Sequence, residues 1–321
     1  MSIILPTGLP AGRSLRAEGV AAVGAGTKYY AVVRPLRIAL LNLMPDKATT
    51  ETQIARLLGG ARRLVELTLC VPTSYRSKTA APEYLAAYYR PWREVRDDDF
   101  DGLIVTGAPI ETLAFEDVTY WSEMTEVFDW ARTRVSRSLH LCWAAQAALY
   151  HYHGVPKHRL GEKMFGVFHH RVHDPNHPVL HGFGPEFVVP VSRHTEVRAA
   201  DLPADGGLEV LASSPESGLC LIDDRWNRAV CMFNHLEYDA DTLKREYDRD
   251  VGQGAPVPVP KHYFPDDDVT RPPRNSWQAW GQRFYKNWLD EVYRETFAGP
   301  RGPAHVAGVA AAPALAPTGP A

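Results

Sequence analysis

Cysteine is scarce in this chain of 321 residues: Cys70, Cys142, Cys220 and Cys231 are its four, and no short paired spacing links them. That excludes a disulfide framework and a zinc knuckle, and a free thiol suits a reducing compartment. A cationic surplus is missing too. Lys and Arg number 35 against 38 Asp and Glu, a formal net charge of −3, so no nucleic acid is expected as a partner. No apolar run reaches the length of a membrane span, and Met1 to Arg16 lacks the basic stretch and apolar core of a secretory signal. What the chain has is the hydrophobic (45%) and charged (23%) content of a globular protein, long enough to bury one large core. The expectation is a cytoplasmic protein that touches no membrane.

Apolar stretches and helical patterns alternate through the first half. Strands are predicted at Leu36 to Leu43, Leu64 to Val71, Phe100 to Thr106 and Ser138 to Leu141. Helices are predicted through Gln53 to Leu58, around Tyr84 to Tyr89, over Trp121 to Arg134 and up to His153. Strands separated by helices of this length specify an α/β fold, a mostly parallel sheet with helices on both faces. Beyond residue 154 the pieces become shorter and richer in β-formers: Phe165 to Val172, Phe187 to Val191, Leu208 to Ala212, Cys220 to Ile222 and Val230 to Phe233. They read as the other half of the sheet with an antiparallel extension. Helices are predicted over Asp241 to Asp250, capped by Asp239 or Asp241, and over Ser276 to Thr296. Residues 1–34 read as an extended N-terminal arm packed on the body, 35–297 as the catalytic domain, and 298–321, an Ala/Pro/Gly tail, as disordered.

The chemistry concentrates where a strand meets a helix. Ser138-Leu139-His140-Leu141 ends on Cys142 and passes directly into Trp143-Ala144-Ala145-Gln146-Ala147. A cysteine there is held on a tight turn near the positive end of a helix dipole, which presents it as a nucleophile. Phe233-Asn234-His235-Leu236-Glu237 follows another apolar strand. In an extended segment His235 and Glu237 point the same way, so the carboxylate reaches one ring nitrogen while the other faces a thiol. A Cys142–His235–Glu237 triad results. Cys70, Cys220 and Cys231 have no such turn after them and read as core. The turn Thr106-Gly107-Ala108-Pro109 is weak evidence for phosphate binding; it reads better as backbone that comes close to the nucleophile, with the N–H groups of Gly107 and Trp143 forming an oxyanion hole. His169, His170, His173, His177 and His181 would form a metal stripe on a helix, but Pro175 and Pro178 break one, and no metal site is expected.

Several of these motifs, in order, resemble one family. Leu9-Pro10-Ala11, Leu15-Arg16-Ala17-Glu18, Leu40-Leu41-Asn42-Leu43-Met44-Pro45, Glu51-Thr52-Gln53 and Asp101-Gly102-Leu103-Ile104-Val105-Thr106-Gly107-Ala108-Pro109 resemble the bacterial homoserine O-acyltransferases of methionine biosynthesis. So do Cys142-Trp143-Ala144-Ala145-Gln146-Ala147-Ala148, Ser192-Arg193-His194-Thr195-Glu196 and His235-Leu236-Glu237-Tyr238-Asp239. The resemblance spans about residues 9 to 297. It implies a class I glutamine amidotransferase-like (flavodoxin-like) fold, although His140 and Ala144 stand where an amidotransferase carries glycine, which argues against a glutaminase.

The resemblance further implies transfer of an acyl group from coenzyme A to L-homoserine through a Cys142 thioester, with no bound cofactor and a homodimeric assembly. It places Lys163, Ser192 and Arg249 on substrate contacts. It also makes position 111 decide the acyl donor: glycine accompanies succinyl-CoA and glutamate acetyl-CoA. Glu111 therefore points to acetyl-CoA, since its side chain would fill the space of a succinyl tail and repel its carboxylate. The alternatives are a homoserine O-succinyltransferase, a thiol amidotransferase or hydrolase on the same fold, and a non-catalytic metabolite sensor. The intact triad argues against the last.

Overall fold

The computed structural model of the protein describes residues 2–26, 34–75, 77 and 79–297. The predicted disordered tail lies outside them. In chain order the elements are β1 (Ser2–Leu5), α1 (Ala11–Ala17), β2 (Ala21–Gly24), β3 (Leu36–Leu41), α2 (Lys47–Gly59), β4 (Val65–Val71), α3 (Pro82–Tyr88), β5 (Tyr89–Pro91), α4 (Trp92–Val95) and β6 (Gly102–Val105). There follow α5 (Trp121–Arg134), β7 (Arg137–Leu141), α6 (Trp143–His153), β8 (His158–Val172), β9 (Glu186–Glu196), β10 (Leu208–Ser214), β11 (Gly218–Asp224), β12 (Ala229–Met232), α7 (Thr242–Gly252) and α8 (Gln278–Phe297). Among the described residues no helix is long and apolar enough to cross a membrane.

One sheet runs through the molecule in the order β2-β1-β4-β3-β6-β7-β12-β11-β10-β8-β9, with β5 also paired to β4. From β2 to β12 the neighbours are parallel, and from β12 onward they are antiparallel. Strand side chains alternate between two cores, as the period of two requires. Leu36, Ile38 and Leu40 of β3 join α2 and α8 in one cluster. Ala39 and Leu41 face the other way, into the cluster that holds α5 and α6. Helices therefore cover both faces.

The N-terminal segment, expected as an extended arm packed on the body, carries regular structure and joins the edge of the sheet. Residues 2–26 form β1, α1 and β2, and Ile3 and Ile4 pair with Val65 and Glu66 of β4. Four-residue strands at a sheet edge are too short to show a period, which is why composition alone missed them.

A second feature invisible in the sequence is the path of β8 and β9. They lie at the antiparallel end of the sheet, yet the ribbon curls back over the end of β12. The Pro190 carbonyl accepts a hydrogen bond from the His235 N–H (2.9 Å). Thr195 Oγ1 donates to Gln146 Oε1 on α6 (2.9 Å). The pairing of β8 with β9 is interrupted between Arg159 and Met164, so that Lys163 leaves the ladder and turns toward α7.

Candidate active site

Strand β7 runs beside β12 in parallel, Leu141 opposite Met232, and the Cys142 N–H donates to the Met232 carbonyl (2.7 Å). Cys142 itself takes φ 50° and ψ −113°, a left-handed conformation that a cysteine adopts only when its surroundings impose it. Here the strand before it is tied to β12 and the helix after it starts at once, with the Ala145 and Gln146 N–H groups bonded to the Cys142 carbonyl. The outcome has the geometry of a nucleophile elbow, a side chain held at the tip of a strained strand-to-helix turn. Gly107, at the end of β6, is pressed against it: a Cβ there would lie 3.1 Å from the Cys142 Cβ and 3.7 Å from its sulfur.

Three residues past β12, His235 meets that sulfur. Its Nδ1 lies 2.6 Å from Glu237 Oε1, and its ring stacks on Tyr238 with 4.2 Å between centroids. All three members are nearly buried. Burial opposes a charge on the imidazole, but the Glu237 carboxylate and the Cys142 sulfur, both in hydrogen-bonding range, outweigh it and hold the His235 pKa well above its ordinary value. Helix α8 supports the segment. Gly281 packs against the Leu236 carbonyl, which a Cβ would approach to 2.5 Å, and the Trp277 indole N–H donates to the Tyr238 carbonyl (2.8 Å).

The other predicted residues gather around this centre. Glu111 is half-buried and accepts a hydrogen bond from the His194 N–H (2.9 Å). Burial raises its pKa, against the pull of that N–H and of His235, Arg193 and Lys163 nearby. Lys163, whose side chain is all but buried, reaches Asp250 (3.1 Å) and Glu246 (3.5 Å) on α7 and lies over the Phe165 ring. Ser192 Oγ donates to Glu246 Oε2 (2.5 Å). Arg249 is exposed and lays Nε and Nη2 on Asp250 Oδ1 (2.8 and 2.7 Å). Lys163, Ser192 and Arg249, far apart in the chain, thus share one network on one face of α7.

Three members of the neighbourhood were not singled out from the sequence. Glu246 accepts hydrogen bonds from Ser192, Tyr238 and Lys163. Tyr238 joins that carboxylate to the stacked His235. Arg193 is a buried guanidinium held by neutral partners, Asn234 Oδ1 (2.5 Å) and the Ser217 carbonyl. Glu246 lies on a helix rich in charge, where a lone carboxylate reads as solvated surface.

Cys70, Cys220 and Cys231 are buried, as expected of core thiols. Of the five histidines, His170 and His177 are buried as well: His170 bonds Ser217 and Asn234, and His177 lies 3.6 Å from Asp223. Among the described residues no cluster of His, Cys, Asp or Glu could hold a metal.

The chain superposes on solved glutamine amidotransferases, one from Thermotoga maritima (TM-score 0.52, 13% identity, 82% of this chain and 98% of that one) and one from Methylobacillus flagellatus (TM-score 0.52, 14% identity, 81% and 95%). At such identities the likeness is one of fold, class I glutamine amidotransferase-like. Sequence comparison is more specific. A family model described as Homoserine O-succinyltransferase matches residues 2–298. Proteins named Homoserine O-acetyltransferase from Cereibacter sphaeroides (49% identical) and Brucella canis (50%) align over 296 residues, 92% of this chain and 97% of theirs. With almost the whole chain matched at about half identity, the protein belongs to the homoserine O-acyltransferase family.

Proposed function

We propose that the protein is a homoserine O-acetyltransferase of methionine biosynthesis, carrying acetyl from acetyl-CoA to the L-homoserine hydroxyl through a thioester on Cys142. The observation that carries the mechanism is the buried relay Cys142–His235–Glu237, with the imidazole pinned between an anion and the sulfur. Cys142 passes its proton to His235 and attacks the thioester carbonyl. The N–H groups of Gly107 and Trp143 receive the oxyanion. The C–S bond to coenzyme A breaks, its sulfur takes the proton from His235, and the acetyl group remains on Cys142. Thioester is exchanged for thioester, so the acyl group stays activated.

The electrostatics of His235 suit both halves. While the sulfur is anionic, two negative groups favour the imidazolium; acylation removes one of them, and the ring gives up its proton more readily. It is then neutral when it must accept the homoserine hydroxyl proton. That oxygen attacks the thioester, the bond to Cys142 breaks, and the ester leaves. Glu237 holds the ring in one tautomer throughout. Burial of the relay keeps water from the intermediate.

For the acceptor, the reading assigns the homoserine carboxylate to Arg249, whose planar fork suits bidentate binding, with Lys163 and Ser192 beside it. For the donor, it assigns acetyl. Glu111 is fixed by the His194 N–H beside His235, and its side chain fills and charges the space that a longer acyl group ending in a carboxylate would need.

Release of the coenzyme A thiol with homoserine and either acetyl-CoA or succinyl-CoA tests the proposal. Turnover with acetyl-CoA that vanishes in Cys142→Ala, and a shift toward succinyl-CoA in Glu111→Gly, are expected. The name of the matching family model favours succinyl as the second reading; preference for succinyl-CoA in the wild type would establish it and refute the role of Glu111 while leaving the relay intact.

A further inference from the structure

Along β9 the side chains alternate: Val191, Arg193 and Thr195 are buried, whereas Ser192 is half-buried and His194 exposed. The middle one of the buried three is a cation. Arg193 is 2% exposed; its Nη1 donates to Asn234 Oδ1 (2.5 Å), its Nη2 to the Ser217 carbonyl, and its Nε has no partner. Those partners are held in turn. Asn234 Nδ2 and Ser217 Oγ both donate to His170 Nε2, at 3.1 and 2.9 Å, and His170 Nδ1 donates to the Phe168 carbonyl (3.0 Å). Burial drives the His170 pKa down to about 4, so the ring is neutral. The whole cluster thus carries one positive charge, and none of the Arg193 hydrogen bonds goes to a carboxylate. A buried cation is costly unless an anion answers it.

Four groups that can bear negative charge act on this cation: Cys142, Cys220, Glu196 and Glu111. Three of them are otherwise engaged. Burial pushes the Cys220 thiol up to about 12, so it stays neutral. Glu196 is bonded to Arg198 (3.0 Å). Glu111 accepts the His194 N–H, and burial raises its pKa. Cys142 remains, and it has a base, His235, to take its proton. The path of β9 makes the placement: its Pro190 carbonyl receives the His235 N–H, its Thr195 hydroxyl reaches Gln146 one turn into the nucleophile helix, and Arg193 enters between these two anchors. The other titratable groups that act on the sulfur, His235 and Tyr238, come from the segment after β12. Gly107, which packs on it from β6, brings no charge, and the first turn of α6 holds no acidic residue. Burial lowers the Arg193 pKa, yet a guanidinium starts so high that it keeps its proton.

We propose that Arg193 is a positioning residue for the reaction, a buried cation that β9 sets beside the Cys142–His235 pair to hold negative charge on the sulfur. The inference rests on the thioester reading given above and adds a residue to it. The charge acts twice. When the Cys142 S–H gives its proton to His235, the electron pair left on sulfur faces a fixed cation. When the homoserine oxygen has attacked the acetyl thioester, the C–S bond breaks and its electron pair returns to the same sulfur. His235 changes its charge with each proton it moves, whereas Arg193 keeps its own throughout.

The test is alkylation of Cys142 by iodoacetamide, a neutral reagent that reacts with the thiolate, followed against pH in wild type, Arg193→Gln and Arg193→Lys. Cys142→Ala serves as the blank for Cys70, Cys220 and Cys231. In Arg193→Gln the rate at pH 7 should fall about tenfold and rejoin the wild-type rate in alkali, where the sulfur ionises without help. Arg193→Lys keeps the charge without the fork and should bring the rate back to within about threefold of wild type. Should the neutral variant not fold, as circular dichroism would show, the lysine variant decides alone: the threefold limit supports the proposal and a tenfold fall overturns it. An unchanged profile in Arg193→Gln, a fall that is equal at every pH, or a lysine variant as slow as the glutamine one also overturns it, since each denies the charge a part in the chemistry. The underlying reading fails in a different assay: if acetyl-CoA without acceptor gives no burst of coenzyme A thiol in the wild type, the thioester falls and the second action of Arg193 with it.

Discussion

Replacing Glu237 by glutamine keeps the shape of the side chain and removes its charge, the largest of the influences that hold a proton on His235. The charge centres of a carboxylate and an imidazolium joined by a 2.6 Å hydrogen bond lie about 4 Å apart, worth about 4 kcal/mol at an effective dielectric of about 20. A hydrogen bond from the ring to the glutamine oxygen returns about 1 kcal/mol, leaving a loss of about 3 kcal/mol, or two decades in rate. The loss should be unequal between the half-reactions. In the first, the Cys142 sulfur still supports the imidazolium; in the second, that support has gone with acylation and Glu237 acts alone. Rapid-mixing measurement of thiol release should therefore show a burst slowed about tenfold, followed by steady turnover slowed about a hundredfold. Stability gives an independent reading of the same charge. Because the folded-state pKa of His235 is raised, its contribution is fully present below about pH 6.5 and is lost as pH rises through the folded value. The gap in melting temperature between wild type and variant should be widest in mild acid and close on the alkaline side. An equal loss in both half-reactions, or a gap that widens with rising pH, would refute this account of Glu237.

Two further substitutions address the framework. Gly281→Ala places a methyl 2.5 Å from the Leu236 carbonyl, backbone against backbone, so α8 or the His235–Glu237 segment must shift; kcat should fall about tenfold or more while the fold persists, as circular dichroism and steady-state assays would show together. Asp223→Ala strips the buried Arg137 of its short ion pair and leaves Glu295 at 3.8 Å as its remaining acid, which should cost about 3 kcal/mol in urea denaturation. Burial works against the Asp223 charge, but His177 and Arg137 outweigh it and depress its pKa, so this cost should be full at neutral pH and shrink as the solution is acidified below about pH 4.

What could be read from the sequence followed physical scale. The strand–cysteine–helix junction is local and sits as expected, whereas the His-x-Glu pair, expected in an extended segment, meets across a turn at Leu236 and Glu237. Alternating strands and helices likewise announced a covered parallel sheet. The return of β8 and β9 over β12 depends on contacts between segments more than forty residues apart, such as His235 with Pro190, and no local pattern encodes that. Lys163, Ser192 and Arg249 were legible only through the resemblance to a family, because an isolated Lys, Ser or Arg is an ordinary surface residue. Glu246 escaped even so: its significance comes from Ser192, Tyr238 and Lys163 converging on it, and only the folded chain brings them together.

Cys142 and His235 leave neighbouring strands that are joined residue for residue from Ala229 opposite Ser138 to Met232 opposite Leu141. Nearly everything the acceptor would touch comes from elsewhere, from the ribbon and the helix beyond it. On the proposed reading, reactivity and choice of substrate are lodged in separable parts of the chain. If the proposed acceptor residues hold homoserine, changes in β8, β9 or α7, Arg193 apart, should redirect the enzyme to another acceptor while Cys142 and His235 stay in register. For an engineer this marks residues 158–196 and 242–252 as the stretch to diversify, and β7 with β12 as the stretch to leave alone.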